Sequence, residues 1–153
     1  MSQSEISQWI HRWRLSNRKI AFTNGVFDLL HRGHVEYLMA AADCADELII
    51  GLNSDASVKM LNKGSSRPIQ DEESRAIILA SLAFVSAVVI FNEETPAKLI
   101  EFIRPDALIK GGDYQISEIA GADHVIAAGG EVKTIPLVKG YSTSSIESRI
   151  KGA

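Results

Sequence analysis

Along most of the chain, short and almost unbroken apolar runs alternate with stretches whose apolar residues return every three or four positions. The runs Lys19–Thr23, Glu47–Leu52, Ala87–Phe91, Ala107–Ile109 and Glu131–Ile135 predict strands. The periodic stretches His34–Cys44, Asp71–Leu82, Thr95–Ile103 and about Ala122–Ala128 predict helices between them, and Ser144–Lys151 predicts a closing helix. Ahead of the alternation, Ile6, Trp9, Ile10 and Trp13 fall at i, i+3, i+4 and i+7, which makes one apolar stripe on an amphipathic helix with Ser4 as its N-cap. The chain therefore divides into an N-terminal helix, residues 1–18, and a main domain, residues 19–153.

Strands that are apolar on both faces belong to a parallel sheet covered on both sides. With right-handed crossovers the expected fold is α/β: a Rossmann-like doubly wound parallel five-stranded sheet with helices on both faces. Ligands of such folds sit beyond the carboxyl ends of the strands. Polar or glycine-rich segments follow four of the five strands: Asn24–His34, Asn53-Ser54-Asp55, Lys110-Gly111-Gly112-Asp113 and Gly140–Ser145. They should converge on one edge, as a nucleotide pocket requires. Asn62–Gln70, with Gly64, Ser65, Ser66 and Pro68, is the expected mobile loop.

Composition narrows the function. The 153 residues are 46% hydrophobic and 23% charged, a globular balance. The net charge of -3 offers no field for nucleic acid, so an anionic ligand must be held by local cations and backbone amides. The single cysteine, Cys44, cannot form an internal disulfide and is expected to be a buried small residue. No apolar run approaches a membrane span and no signal-peptide stretch opens the chain, so a cytoplasmic protein with no membrane partner is expected.

The chemistry concentrates where the first strand gives way to a helix. His31 and His34 flank Gly33 at that helix start. A helix N-terminus offers unpaired amides and the positive end of the dipole, and glycine lets a phosphate approach the backbone. Two imidazoles three residues apart can both donate to that anion. A third convincing zinc ligand is absent nearby, so no protein-held metal is expected. Ser142, Thr143 and Ser144 place hydroxyls at a second helix start, where one should cap and its neighbours bind phosphate. Lys59, with Lys63 as a substitute, and Arg75 are the expected phosphate cations. Asp28 is read as orienting a turn or a histidine, Asp113 beside Gly111 and Gly112 as a nucleotide contact, and Gly129-Gly130 as a helix-to-strand turn.

Thr23–His34 resembles the first signature of the cytidylyltransferase-like nucleotidyltransferases, histidine–any–glycine–histidine, and Tyr141–Ile146 resembles their second. More narrowly, Ile20–Ile150 resembles the adenylyltransferases of bacterial ADP-heptose synthesis, through Asn53-Ser54-Asp55, Arg67-Pro68, Arg75, Arg104-Pro105-Asp106, Lys110–Tyr114, Gly129–Val132 and Gly140–Thr143. The resemblance implies a nucleotidyltransferase domain over residues 19–153. It implies that a sugar 1-phosphate, D-glycero-β-D-manno-heptose 1-phosphate, attacks the α-phosphorus of ATP while Mg²⁺ rides on the triphosphate. It also implies His31, His34, Lys59 and Arg75 as catalytic, and Thr23, Asn24, Gly25, Phe27, Gly33, Gly111, Gly112, Asp113, Ser142, Thr143 and Ser144 as nucleotide contacts. One departure bears on the base. Glycerol-3-phosphate cytidylyltransferases carry an arginine before their second signature, where this chain reads Pro136-Leu137-Val138-Lys139-Gly140. The rival expectations are a cytidylyltransferase acting on a polyol phosphate and a non-catalytic nucleotide-binding module. Pairing into a homo-oligomer through the N-terminal helix is a further expectation.

Overall fold

Strand β2 (Glu47–Asn53) is buried at every position and β1 (Ile20–Gly25) at its first four, as strands covered on both faces must be. The structure, a computed structural model, describes residues 1–61, 67–138 and 140–152. Three further strands, β3 (Ala87–Phe91), β4 (Ala107–Gly111) and β5 (Glu131–Ile135), complete a five-stranded sheet in the order β3-β2-β1-β4-β5, and every neighbouring pair is parallel. Among the described residues the helices are α1 (Gln3–Leu15), α2 (Arg32–Ala42), α3 (Asp55–Met60), α4 (Glu72–Ala80), α5 (Ala97–Ile103), α6 (Ala122–Ala127) and α7 (Thr143–Lys151), with a 3-10 turn at Ile116–Glu118.

The two-residue period of the strands sorts the core into two layers. Ile20, Phe22, Ile49 and Leu108 face α1, α5 and α6, through Ile6, Ile10 and Trp13, Leu99, Ile100 and Ile103, and Ala122 and Val125. Ala21, Leu48, Ile50 and Ile109 face α2 and α4, through Tyr37, Leu38 and Ala41 and through Leu79. The expected doubly wound α/β fold is therefore the observed one. Helix α1 belongs to the first of these cores.

Local details differ from expectation for physical reasons. Ser2, not Ser4, caps α1: its Oγ accepts from the Glu5 amide while the Glu5 carboxylate accepts from the Ser2 amide. That capping box needs an acid three residues after the cap, which Ser2 has and Ser4 lacks. Trp9 is exposed, with the Arg12 guanidinium over its ring, so the buried stripe is Ile6, Ile10 and Trp13. Helix α2 starts two residues early because His31 caps it. Helix α3 was not anticipated; six residues are too few to show a period. Cys44 is half-buried rather than buried, its thiol donating to the Ala40 carbonyl. Among the described residues no helix is long and apolar enough to cross a membrane.

Candidate active site

The sheet opens where its strand order reverses. β1 pairs with β2 as far as Gly25↔Leu52, but its pairing with β4 ends at Phe22↔Leu108. Beyond that point β1 and β4 leave a crevice at the topological switch, the place where doubly wound folds bind ligands. A cavity of about 810 Å³ occupies it. Asn24 and Gly25 of β1, His34 of α2, Lys110 and Gly111 of β4, and Thr143 and Ser144 of α7 are on its wall. Segments far apart in the chain thus meet at one edge.

His31 adopts an extended backbone, and its Nδ1 accepts from the His34 amide at 3.3 Å, so the first imidazole is the N-cap of α2. The two rings stack 3.8 Å apart at 14°, and Phe27 meets His34 edge-on at 5.3 Å. Phe27 holds a left-handed backbone (φ 48), a strained state for a bulky residue that costs about 1–3 kcal/mol. Gly25 accommodates it: a Cβ there would stand 2.8 Å from the Phe27 ring. Strain is thus accepted to bring Phe27 against the second histidine.

The His34 side chain lines the cavity, and its Nδ1 is buried. Burial, then the neighbouring His31, lower the His34 pKa from 6.5 to about 4, against a smaller opposing effect of the Leu29 backbone. Burial also lowers the His31 pKa. His34 is therefore an uncharged imidazole at neutral pH, able to donate through one nitrogen.

Across the crevice, Lys110 Nζ donates to Asn24 Oδ1 at 3.1 Å and lies 6.0 Å from the Tyr114 ring centre. Sequence reading quoted Lys110 only as part of a glycine-rich segment; the signal it missed was a cation at the very end of a strand beside the switch. Gly111 is needed for packing, since a Cβ would sit 2.9 Å from Leu137 and 3.2 Å from the Tyr37 ring. Gly112 has φ +108, open to glycine alone at little cost. Asp113 is exposed and is not on the cavity wall.

Several expected contacts lie elsewhere. Thr23 is fully buried, its hydroxyl 2.7 Å from the Tyr37 hydroxyl, so it braces β1 against α2. Gly33 makes room for protein: a Cβ would stand 3.0 Å from Tyr141 and 3.2 Å from the His31 ring. Arg75 is corrected from phosphate cation to internal strut. It is 1% exposed, donates to the Gln70, Val26 and Asn53 carbonyls, and pairs with Asp55 at 2.6 Å. A guanidinium so engaged does not face the cavity. Lys59 is exposed on α3 and is likewise not on the wall, although its neighbour Val58 is. Lys63 and the rest of Asn62–Ser66, most of the expected mobile loop, lie outside the described residues.

Asp28 has a clear part. It is 3% exposed and accepts from the Ile69 and Gln70 amides and from Arg67 at 2.9 Å. Burial alone would raise its pKa; the Gln70 and Ile69 amides and the Arg67 guanidinium outweigh that and hold it below the usual carboxylate value. At the second helix start, Ser142 caps α7 by accepting from the Ser145 amide at 3.1 Å, which leaves Thr143 and Ser144 to face the cavity. No group of three or more His, Cys, Asp or Glu among the described residues could hold a metal by itself.

The chain matches the cytidylyltransferase-like family over residues 22–149. Bifunctional protein HldE of Bradyrhizobium is 49% identical to it over 150 residues, and that of Wolinella succinogenes 50% over 153. These matches cover 98% and 100% of this chain but 30% and 31% of the relatives, so the chain spans about a third of their length. A crystal structure described as the lipopolysaccharide core biosynthesis protein of Thermoplasma volcanium superposes with a TM-score of 0.66 at 27% identity, covering 82% of this chain and 99% of that one.

Proposed function

This chain belongs to the cytidylyltransferase-like family and is a nucleotidyltransferase, and from that premise we propose that it transfers AMP from ATP to D-glycero-β-D-manno-heptose 1-phosphate, giving ADP-heptose and pyrophosphate. The observation that carries the catalytic reading is the His34 side chain on the wall of the cavity at the switch point, stacked on His31 at the start of α2. The similarity to HldE proteins along the whole chain, and to a lipopolysaccharide core biosynthesis protein, supports a sugar phosphate destined for a cell-surface glycan as acceptor. The absence of the cytidylyltransferase arginine at Pro136–Gly140 supports ATP over CTP.

The sugar phosphate is ionised at neutral pH, so its oxygen attacks the α-phosphorus directly and needs no strong base. Catalysis is then positioning plus stabilisation of the charge that builds on the α-phosphate oxygens. His34, beside the amides at the start of α2, supplies donors aimed at that charge, and His31 holds it by stacking and by capping the helix. Lys110 adds positive charge from β4, and Thr143 and Ser144 add donors from α7. Mg²⁺ brought in on the triphosphate would neutralise charge on the leaving pyrophosphate. The donor set fits a metal that arrives on its substrate, because Mg²⁺ keeps several waters and needs only one or two carboxylates, and Glu94 and Glu118 are on the wall. The reaction is placed in the cytoplasm, with small-molecule substrates and a second copy of the chain as a candidate partner.

The test is pyrophosphate release with each nucleoside triphosphate against a panel of phosphates that includes heptose 1-phosphate and glycerol 3-phosphate. ATP with heptose 1-phosphate should be the best pair. Equal or higher efficiency with CTP and a polyol phosphate would replace this reading by the cytidylyltransferase one; nucleotide binding without release from any pair would leave a non-catalytic module.

A further inference from the structure

Helix α7 brings Thr143 and Ser144 to the cavity, yet none of its residues is buried. Core packing, limited to half-buried residues such as Ile146, therefore holds its direction only loosely, although donors to a phosphate must be placed to within a fraction of an ångström. Two polar contacts take over. Just before the cap, Tyr141 lies against Gly33, and its hydroxyl accepts from Arg32 at 3.4 Å. One turn into the helix, Glu147 pairs with Arg67 Nη2 at 2.9 Å. Two points fix an axis, and Arg67 is the second.

Arg67 is itself held firmly. Its Nη1 pairs at 2.9 Å with Asp28, whose carboxylate also accepts from the Ile69 and Gln70 amides. Side-chain exposure is 15% for Arg67, 3% for Asp28 and 22% for Glu147, so both pairs are largely shielded from water. Asp28 lies three residues before His31 in the β1–α2 connection. One planar guanidinium thus joins the segment that carries the histidines to the helix that carries the hydroxyls, a geometry that the point charge of a lysine does not reproduce.

We propose that Arg67 is a positioning residue: by clasping Asp28 and Glu147 it sets the spacing between the two phosphate-binding helix starts. Arg67 is itself on the cavity wall, but both its terminal nitrogens are engaged by carboxylates, so it acts on the substrate through α7. The proposal rests on the nucleotidyl-transfer reading of the cavity and adds to it a residue that reading does not use.

Glu147 is the decisive position, because it is not on the cavity wall. Glu147→Gln should raise KM for ATP about tenfold with a smaller change in kcat, since the misplaced donors act mainly on the bound triphosphate. Arg67→Lys should give a similar rise, and Glu147→Gln should add almost nothing in an Arg67→Met background. In the absence of any substrate, the α7 amides of Glu147→Gln should exchange hydrogen faster than in the parent while those of α2 are unchanged. A silent Glu147→Gln beside a crippled Arg67→Met would overturn the proposal and put Arg67 in direct contact with substrate. Unaltered α7 exchange would overturn it as well. That exchange measurement needs no turnover, so if the parent enzyme fails with ATP and heptose 1-phosphate, the assigned reaction falls while the clasp is still decided.

Discussion

The helix start that carries His31 and His34 and the one that carries Ser142, Thr143 and Ser144 face one cavity but are held there by different forces. Helix α2 buries Tyr37, Leu38 and Ala41 against the sheet, beside strands β1 and β2 that are themselves almost wholly buried. Burying one leucine-sized side chain contributes about 1.5–3 kcal/mol, so the histidines rest on a start that cannot drift. Helix α7 has no fully buried residue, only half-buried ones such as Ile146, and is steered by Tyr141 and the Arg67–Glu147 pair. Donors aimed at the reacting phosphorus gain from rigidity, because a donor already in place needs no reorganisation as charge develops.

The largest effect should come from attacking the rigid side. Arg75→Met removes the donor shared by three carbonyls and Asp55, and should lower stability by about 3–5 kcal/mol in denaturant unfolding. A variant as stable as the parent but without turnover would return Arg75 to the phosphate chemistry. His34→Ala should slow turnover by roughly 10² to 10³, about 2.7–4 kcal/mol, with a smaller change in ATP affinity. Near-normal pyrophosphate release from the folded variant would remove His34 from the reaction. His31→Ala should slow turnover on the same scale and, because His31 is the cap, also lower stability by about 1 kcal/mol, read by thermal unfolding.

On the loosely held side, Ser144→Ala deletes a single neutral donor. It should weaken ATP binding by about 0.5–1.5 kcal/mol with little loss of stability, as calorimetry and thermal unfolding would show. A large fall in stability would mean that α7 is anchored better than its burial implies. A separate effect, read in stability alone, is one of pH. In the unfolded chain His34 takes up a proton near its ordinary value of 6.5, while in the folded protein it does so only near about 4. Between those values the unfolded state holds more protons, so stability falls as pH falls from 6.5 towards 4, and this contribution levels off below that. Unfolding midpoints measured across the window should lose that part of the slope in His34→Gln; an unchanged slope would assign it to other groups.

The legibility of the molecule follows the range of the forces involved. The five strands and most helices were readable because apolar periodicity is local. The capping role of one serine before Thr143 was readable because a cap is local too. Arg75 was misjudged for the opposite reason. An arginine on a helix whose start faces the site looks like a cation available to phosphate, and only the folded chain brings the Val26 and Asn53 carbonyls to it. Lys110 gained its place from Asn24, 86 residues away. The Arg67 fork is of the same kind, with both partners on distant segments.

Sequence by itself determined the doubly wound sheet, the edge at which polar segments gather, and the pair of histidines at a helix start, since each follows from spacing over a few residues. Tertiary structure alone decided which polar groups face a ligand and which hold the protein together. Thr23, Gly33 and Arg75 serve the frame, while His34, Lys110, Thr143 and Ser144 are on the cavity wall. The physical reason is that a buried donor or acceptor must find a partner, and at long range the fold, not the local pattern, determines which partner is within reach.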